Sequence, residues 1–539
     1  MVSRASASSA RCLVAAVALA ALSLFAASSL IHADPLEIES GLISGTVVDE
    51  QAGVRAYKGI PFAAPPVGDL RWKPPQPAKP WKGERACIEY GPACPQTDIM
   101  WTILGEKKPE KLDEDCLYLN VWTPAKSADD KLPVMVWIHG GGFTLGWSYQ
   151  RDYDGTALAR KGVVLVTTNY RLGAFGFLGH PLLSKESERG VSGNYGFLDQ
   201  IAALRWVRDN IAAFGGNPDC VTIFGESAGG SSVNFLCVSP LAKGLFHRAI
   251  SESGGYTYWK MEHLRETSPA GESAEAMGES LAKKLVGDET GDVLAALRAA
   301  PAEKLVSFAG IDTEYRFSPA VDGWVLPDYP AIMYENGLQH DVPLILGTNA
   351  DEGTMFAMMI PYKTVEEHLA AVKDEYGEYA DEIMALYPAD EPGDIRDAFI
   401  EHFADTTFIA PTRAMVRAMD KVSSNAYLYQ FTRKSQAMPA MGAYHSMEIA
   451  YAFDNVDESK VNEVDLKLSD TMSTYWVQFA KTGDPNGNGL PEWPAYETAS
   501  DQHLELGETI QVGSGLRKET CDVLDSIIAN RYSKFKDSK

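Results

Sequence analysis

The sequence predicts an α/β fold in which helices cover both faces of a mostly parallel central sheet. Short apolar runs such as 133–138 and 221–224 recur along the chain, and runs that are apolar on both faces are typical of buried parallel strands. Between two such runs, apolar residues in 201–211 follow helical spacing, and Gly-Gly-Asn-Pro at 215–218 ends that helix. Strand, helix and strand in this order make a β–α–β unit, from which parallel sheets are built.

The rest of the chain extends this pattern. Further strands are predicted at 162–167, 343–346 and 426–431. Segments 256–340 and 354–420 are predicted to be mainly helical, and we expect them to leave the sheet as large insertions that wall a pocket. Because no linker, repeat or abrupt change in composition interrupts it, 34–539 is predicted to be one domain.

Residues 1–33 have the features of a secretory signal peptide. Arg4 and Arg11 make the start positive, the stretch 13–30 is apolar apart from its serines, and Ala33 ends a segment that fits a cleavage site. We therefore expect an exported protein, either periplasmic or secreted. The alternative is an uncleaved membrane anchor, since the apolar run is close to the shortest length that spans a bilayer. No later segment is predicted to span a membrane.

Composition and charge indicate an ordinary folded protein and disfavour one class of partner, without naming a substrate. Hydrophobic residues make up 45% of the 539 residues and charged residues 22%, which is enough apolar material for a large core. Lys and Arg number 48 against 73 Asp and Glu, for a net charge of −25. This charge repels phosphate backbones, so no nucleic-acid partner is expected. Nothing in the sequence predicts an oligomeric state.

Neither a metal nor an organic cofactor is expected. The ten histidines are scattered, and no zinc-binding pattern of histidines or paired cysteines occurs. Of the seven cysteines, Cys12 is lost with the signal peptide, and the other six allow 15 complete pairings. Export permits disulfides, but Cys220 and Cys237 lie in apolar runs that favour buried free thiols.

The most specific chemical signal is Gly-Glu-Ser-Ala-Gly at 225–229. It lies directly after the strand 221–224 and before a predicted helix at 231–236. Flanking glycines permit the tight turn that projects the hydroxyl of Ser227 from the edge of a sheet, and the helix N-terminus favours developing negative charge. The alternative is a purely structural strand-to-helix turn.

A second glycine-rich segment, His-Gly-Gly-Gly-Phe at 139–143, follows the strand 133–138. Consecutive glycines allow backbone N–H groups to approach a tetrahedral intermediate closely, which a weak serine nucleophile needs. A phosphate-binding loop is disfavoured, because Leu145 stands where a dinucleotide fingerprint needs glycine and no Gly-Lys-Ser/Thr occurs.

With these segments in place, the chain resembles the type-B carboxylesterase/lipase family, the cholinesterase-like branch of the α/β-hydrolases. The resemblance covers most of the chain after the signal peptide and keeps several independent motifs in the family's order. The matching segments are 59–63, 65–68, 114–120, 139–143, 169–171, 193–196, 215–218, 225–229, 349–353 and the region around His445. It implies the α/β-hydrolase fold.

The resemblance also implies a catalytic triad. Ser227 corresponds to the nucleophile, Glu352 of Asn-Ala-Asp-Glu-Gly to the acid, and His445 to the base. Their order along the chain, serine then acid then histidine, is that of the fold. The neighbouring Asp351 is an alternative acid, since either carboxylate serves the role.

Further roles follow from the same resemblance. The backbone N–H groups of Gly141, Gly142 and Ala228 are expected to form the oxyanion hole. Glu226 is expected to tune the site electrostatically; the alternative is that it only hydrogen-bonds a neighbouring loop. His139 is interpreted as a residue that shapes the loop rather than as a base.

One disulfide is implied as well, between Cys94 and Cys116 around a loop at the rim of the gorge. Cys87 is seven residues from Cys94 and is a rival partner. The implied protein is an exported serine carboxylesterase that forms an acyl-enzyme intermediate without a cofactor. Two alternatives remain: a catalytically silent cholinesterase-like binding module, and a lipase, amidase or carbamate hydrolase with the same triad.

Overall fold

The structure is a computed structural model that describes residues 33–102, 105–255, 261–287, 291–310, 313–487 and 489–537. Apart from Ala33, the predicted signal peptide lies outside these residues. The strands of the described chain are β1 (Leu36–Ile38), β2 (Gly41–Ser44), β3 (Thr46–Asp49), β4 (Val54–Pro61), β5 (Glu84–Ala86), β6 (Tyr118–Thr123), β7 (Leu132–Ile138), β8 (Val164–Thr168), β9 (Gly216–Glu226), β10 (Arg248–Glu252), β11 (Leu344–Asn349), β12 (Ala426–Phe431), β13 (Gln502–Leu506) and β14 (Ile510–Ser514).

Eleven of these described strands form one sheet, in the order β14-β13-β12-β11-β10-β9-β7-β8-β6-β4-β3. From β8 to β13 all neighbours are parallel, and antiparallel pairs occur only toward the two edges. A small second sheet contains β1, β2 and β5. The chain therefore has the predicted α/β-hydrolase architecture, with a mostly parallel central sheet.

Helices flank this sheet. They make up most of 354–420, as predicted, but 256–340 was wrongly predicted to be mainly helical, because most of its described residues lie in turns and irregular segments. The α-helices of the described chain are α1 (Ile99–Thr102), α2 (Thr156–Arg160), α3 (Gly173–Phe177), α4 (Pro181–Glu186), α5 (Tyr195–Asn210), α6 (Ala228–Leu236), α7 (Ala274–Val286), α8 (Val293–Ala299), α9 (Ala302–Phe308), α10 (Pro330–Glu335), α11 (Val365–Tyr376), α12 (Ala380–Leu386), α13 (Ile395–Ala404), α14 (Ala410–Ala418), α15 (Ile449–Ala452), α16 (Glu463–Thr482) and α17 (Lys518–Asp537). None of these helices is long and apolar enough to cross a bilayer.

Strand β7 illustrates why this sheet is stable. Val136 packs into the core on one face and Trp137 into the core on the other, and both side chains are almost completely buried. The Trp137 ring contacts the rings of Phe224 and Phe453, each with a centroid 4.9 Å away. Burial on both faces explains the continuous apolar runs from which the strands were predicted.

The predicted elements are largely confirmed. The five predicted strands correspond to β7, β8, β9, β11 and β12, each within a few residues at the ends except β9, which begins five residues earlier than predicted. The predicted helix at 201–211 is α5, which starts at Tyr195 and ends in a short 3₁₀ turn. Gly215 has φ +77°, a left-handed conformation that glycine adopts at little cost.

Candidate active site

The carboxyl ends of the central parallel strands lie side by side along one border of the sheet. We call this line of strand ends the sheet edge, as distinct from the outermost strands. The register pairs Ile138 of β7 with Gly225 of β9, and Glu226 of β9 with Glu252 of β10. Strand β11 ends at Asn349 beside the same edge. Residues that follow these strands are therefore brought together although the sequence separates them widely, and this edge is where α/β folds bind ligands.

Ser227 lies on a sharp turn between β9 and α6. Its φ of 56° and ψ of −121° are strained for a residue with a side chain. The turn is held by a 2.9 Å hydrogen bond from the Ser227 N–H to the Glu252 carbonyl. A Cβ atom at Gly225 or Gly229 would lie 2.5 or 2.0 Å from the Ile138 carbonyl oxygen, so only glycine fits at these two positions. The sequence predicted a tight turn between a strand and a helix at this position, and the structure has one.

His445 and Glu352 form a buried hydrogen-bonded pair. The distance from His445 Nδ1 to Glu352 Oε2 is 2.6 Å, and the two residues are 5% and 0% exposed. The other carboxylate oxygen, Oε1, accepts hydrogen bonds from the Ser253 hydroxyl at 2.5 Å and from the Asn349 N–H at 2.8 Å. With both oxygens held, the carboxylate fixes the orientation of the imidazole ring.

Asp351, the alternative acid, contacts the backbone of Ala443 and not the His445 ring. Its Oδ2 accepts a 2.7 Å hydrogen bond from the Ala443 N–H, and its own N–H donates to the Ala443 carbonyl at 3.1 Å. The side chain therefore fastens the loop that carries His445 and does not contact the ring. Of the two neighbouring carboxylates, Glu352 is the one that lies against the imidazole.

The second nitrogen of His445 faces another carboxylate. Nε2 lies 3.1 Å from Glu226 Oε1, and within the described residues no hydrogen bond joins it to the Ser227 hydroxyl. Burial alone lowers the pKa of His445, but the negative charges of Glu226 and Glu352 outweigh it and raise that pKa to about 9. Burial raises the pKa of Glu226 to about 7. The site therefore favours a protonated imidazole until the pH is alkaline.

Two more buried glutamates lie behind this group. Glu252 Oε1 accepts a 2.8 Å hydrogen bond from the Trp476 indole, and burial raises the pKa of Glu252 to about 8. Glu448 accepts hydrogen bonds from Ser253 and Asn349, and its pKa is well above its ordinary value, chiefly because of burial. Burial therefore disfavours the charged form of both carboxyl groups.

The glycine loop after β7 lies against the serine turn. A Cβ atom at Gly140 would be 3.1 Å from the Ser227 Cβ. Gly141 and Gly142 have φ values of 106° and 62°. Within the described residues, the N–H groups of Gly141, Gly142 and Ala228 donate no hydrogen bond. These three N–H groups could therefore donate to a further acceptor, and their role as an oxyanion hole stays a prediction.

His139 is a buried part of this loop. Its Nδ1 is 2.8 Å from the Gly140 carbonyl, its ring stacks on Tyr170 with centroids 4.5 Å apart, and the Tyr170 hydroxyl donates to the His139 carbonyl at 2.9 Å. Burial lowers the pKa of His139 to about 4, so the ring is neutral. This agrees with its interpretation as a residue that shapes the loop.

The structure brings Cys94 and Cys116 side by side as free thiols. Both are buried, and the Cys116 thiol hydrogen-bonds to Cys94, which together with burial raises the pKa of Cys116 well above its ordinary value. The implied partners are therefore neighbours, but no bond joins them in this structure, and the disulfide stays a prediction. Cys87 is also buried and free.

Several residues of the site were not predicted. The Ser253 hydroxyl faces both Glu352 and Glu448 at 2.5 and 3.3 Å. The Phe356 and Phe408 rings pack on the His445 ring, with ring centroids 5.2 and 4.5 Å away. The signal for Ser253 was present, because it directly follows a strand as Ser227 does, but the strand β10 was not predicted. Within the described residues, no group of three or more His, Cys, Asp or Glu side chains is arranged to hold a metal ion.

Comparison with known proteins assigns the chain to a family. A family model described as "Carboxylesterase family" matches residues 33–524. The chain belongs to the carboxylesterase family. It is 38% identical over 494 residues to a fumonisin B1 esterase of Sphingopyxis macrogoltabida, with 88% of this chain and 87% of the relative covered.

Two further relatives are also named as esterases. The chain is 37% identical to a para-nitrobenzyl esterase of Bacillus subtilis, covering 88% of this chain and 94% of that one. It is 34% identical to liver carboxylesterase 1 of Oryctolagus cuniculus, covering 86% and 87%. The family comprises carboxylic-ester hydrolases, so this carboxylesterase is an enzyme that hydrolyses small-molecule esters.

Proposed function

We propose that the chain is an exported serine carboxylesterase that hydrolyses carboxylic esters through an acyl-enzyme intermediate. Ser227 is the nucleophile, His445 the general base and Glu352 the acid of the triad. The observation that carries the proposal is the buried 2.6 Å contact between Glu352 and His445, at the same sheet edge as the strained serine turn. The three free N–H groups near Ser227 add an oxyanion site.

In the first half of the reaction, His445 Nε2 takes the proton of the Ser227 hydroxyl while Oγ attacks the ester carbonyl carbon. The N–H groups of Gly141, Gly142 and Ala228 bind the oxyanion, and Glu352 stabilises the imidazolium. The bond to the alcohol oxygen then breaks, and His445 returns its proton to that oxygen as the alcohol leaves.

Water completes the cycle by the same route. His445 takes a proton from water, the hydroxide attacks the acyl carbon, and the bond to Ser227 Oγ breaks as His445 returns the proton to it. For these transfers Nε2 must move from its contact with Glu226 toward Ser227 Oγ, and such hydrogen bonds commonly form only when substrate binds. Glu226 then lies where it stabilises the positively charged ring.

The test is hydrolysis of p-nitrophenyl acetate by the protein without residues 1–33, beside Ser227→Ala. We expect the variant to lose about 10⁴-fold or more in kcat. Treatment with a p-nitrophenyl phosphonate should label one site, which mass spectrometry should locate at Ser227, whereas Ser251→Ala should remain labelled. Unlabelled, folded protein without turnover would favour a binding module, and labelling at another serine would refute the assignment.

Export is part of this proposal and rests on the amino-terminal pattern of the sequence. The test is amino-terminal sequencing of the protein recovered from its host. We expect a mature chain that begins at Asp34 in the periplasm or the medium. Full-length protein that sediments with membranes would instead support an uncleaved anchor.

A further inference from the structure

We propose that two copies of this chain associate by pairing strand β14 of one copy with β14 of the other. In the described chain, β14 and β3 are the outermost strands of the eleven-stranded sheet, and each has one neighbouring strand. The outer side of such a strand presents backbone N–H and C=O groups that pair readily with another strand. The inference concerns assembly and goes beyond the ester hydrolysis proposed above.

Strand β3 is protected against such pairing. Its register with β4 shifts between Val47 and Asp49, so the strand is irregular. The carboxylate of Asp49, its last residue, accepts a 3.0 Å hydrogen bond from the Ala52 N–H and forms an ion pair with Arg160. Irregular pairing and charged side chains are the usual means by which proteins block the outermost strands of a sheet.

Strand β14 has neither form of protection. Its residues, Ile510–Ser514, pair with β13 without a shift in register. The stretch 509–516 contains no charged residue, although 22% of the chain is charged. Val512 is 44% exposed, and β-branched residues favour strand pairing. A regular, uncharged and partly apolar strand thus forms this side of the sheet.

The direction of the backbone groups shows which residues are available for pairing. The Gly515 N–H donates a 2.9 Å hydrogen bond to the Asp501 carbonyl, a pair that continues the register between β13 and β14. Because successive residues of a strand point these groups to opposite sides, those of Ile510, Val512 and Ser514 point away from β13. Within the described residues, no strand lies on that side of β14.

These three residues suit a second copy of the same strand. They are evenly spaced about Val512, so an antiparallel pair centred on Val512 places Ile510 of each copy opposite Ser514 of the other. The outward groups of all three residues are then paired, in about six hydrogen bonds related by a two-fold axis. The two Val512 side chains lie opposite each other and pack together. A strand that complements itself in this way identifies its partner as another copy of the chain.

The charges at the two ends of β14 favour the antiparallel arrangement. Glu508 precedes the strand and Lys518 follows it, and both are exposed. Lys518 forms an ion pair with Asp522 on the surface, where such pairs contribute little. In the antiparallel pair, Glu508 of one copy approaches the Lys518 end of the other. A parallel pair would instead bring like charges together.

Sedimentation velocity of the purified protein tests the association. A pair of short strands buries little surface, so we expect a weak dimer whose fraction rises between about 1 and 100 µM chain. Val512→Lys places a charge at the two-fold axis and should raise the dimer dissociation constant about tenfold or more. Val48→Lys is the matched control: Val48 is a 37% exposed valine of the protected strand β3, so this variant should dimerise as the wild type does.

Val512→Cys tests the register of the pair. Opposite Cα atoms in a hydrogen-bonded antiparallel pair are about 5.5 Å apart, within the range that a disulfide spans. Oxidised glutathione accepts the two electrons that are released when the two thiols join. We expect it to produce a disulfide-linked dimer of Val512→Cys, and none of Val48→Cys or of the wild type.

The following outcomes would overturn the proposal. The first is a wild-type protein that stays monomeric across this concentration range. The second is a dimer that persists in Val512→Lys or is weakened equally by Val48→Lys, since its interface would lie on another surface. Thermal unfolding and turnover of p-nitrophenyl acetate should be similar in all variants, because Ser227 follows the central strand β9 and not an outermost one. If Val512→Lys does not fold, cross-linking of Val512→Cys decides: a folded variant that gives no linked dimer refutes the pairing.

Discussion

The edge of the sheet and the helical wall beside it hold the two sides of the same site in different ways. At the sheet edge, backbone hydrogen bonds in register fix the positions of Ser227 and Ser253, each directly after a parallel strand. The wall, residues 353–409, contains most of an eight-residue 3₁₀-helix that begins at Glu352, and a π-helical turn, Asp405–Ile409, both irregular forms of helix. There, ring contacts rather than a ladder of hydrogen bonds surround His445.

This difference separates chemistry from selectivity. Groups that transfer protons must be placed to within tenths of an ångström, which a buried parallel sheet achieves through its register. The wall only has to offer apolar surface, so its rings and methionines can be partly exposed. Changes at the sheet edge should therefore reduce the turnover of every ester, whereas changes in the wall should redistribute preference among esters.

Glu352→Gln should have the largest effect. The amide keeps the shape of the side chain but removes the charge that stabilises the His445 imidazolium, so we expect kcat to fall by about 10³- to 10⁴-fold for short and long esters alike. Steady-state kinetics on two chain lengths provides the measurement. The matched control is Asp351→Asn, which keeps an acceptor for the Ala443 N–H and should cost less than tenfold.

If Asp351→Asn cost more than Glu352→Gln, the acid would be assigned to the wrong carboxylate. If Glu352→Gln affected long esters only, the separation between sheet edge and wall would fail. Thermal unfolding of both variants should accompany the kinetics, so that a loss of fold is not taken for a loss of chemistry.

Glu226→Gln should shift the pH dependence of the enzyme. The carboxylate lies 3.1 Å from His445 Nε2 and helps raise the pKa of that residue to about 9. Because the base that we propose, His445, can accept a proton only when it is neutral, kcat/KM should rise with pH toward that value. Removing the negative charge destabilises the imidazolium, so the rise should move to lower pH by about one unit or more.

The profile should be recorded between pH 6 and 10 with one short ester. Glu252→Gln is the matched control, since Glu252 is an equally buried carboxyl that hydrogen-bonds to the Trp476 indole and, unlike Glu226, is not among the charges that raise the pKa of His445. If kcat/KM of Glu226→Gln rose over the same pH range as that of the wild type, this carboxylate would not act on the pKa of His445.

Much of this sheet edge could be predicted from the sequence, because its constraints are local. Gly225 and Gly229 are required by the close approach of the Ile138 carbonyl, and such a requirement leaves a recognisable pattern beside Ser227. The strands β7 and β9 are buried on both faces and therefore appear as apolar runs. The positions of Glu352 and His445 came from resemblance, since 93 residues separate them and no local rule pairs them.

The wall could not be predicted in the same way. Phe356, Phe399 and Phe403 have the composition of ordinary core residues, and only the contact between a 3₁₀-helix and α13 aligns them. Ser253 was not predicted because the strand before it, β10, was missed. This strand begins with a polar residue and contains Ser251 and Glu252, so it is not an apolar run. The Cys94–Cys116 pairing depends on redox conditions as well as on geometry.

Ser253→Ala should have a moderate effect. The hydroxyl donates a 2.5 Å hydrogen bond to Glu352, and losing a hydrogen bond to a buried charged group weakens its positioning by about 1.5–3 kcal/mol. We expect kcat to fall about 10- to 100-fold, with KM nearly unchanged. Ser251→Ala removes a hydroxyl on the same strand that bonds the Gly230 carbonyl instead, and its effect on kcat should be small. Equal losses of kcat in Ser253→Ala and Ser251→Ala would indicate that both substitutions disturb β10 as a whole.

Met359→Ser should have the smallest effect on folding. Its side chain is 56% exposed, and surface substitutions usually change the free energy of unfolding by less than about 0.5 kcal/mol. Phe224→Ala in β9, where the ring is fully buried against Trp137, should instead cost about 3–5 kcal/mol. Chemical denaturation measures both. A large destabilisation by Met359→Ser would show that this exposed part of the wall supports the fold.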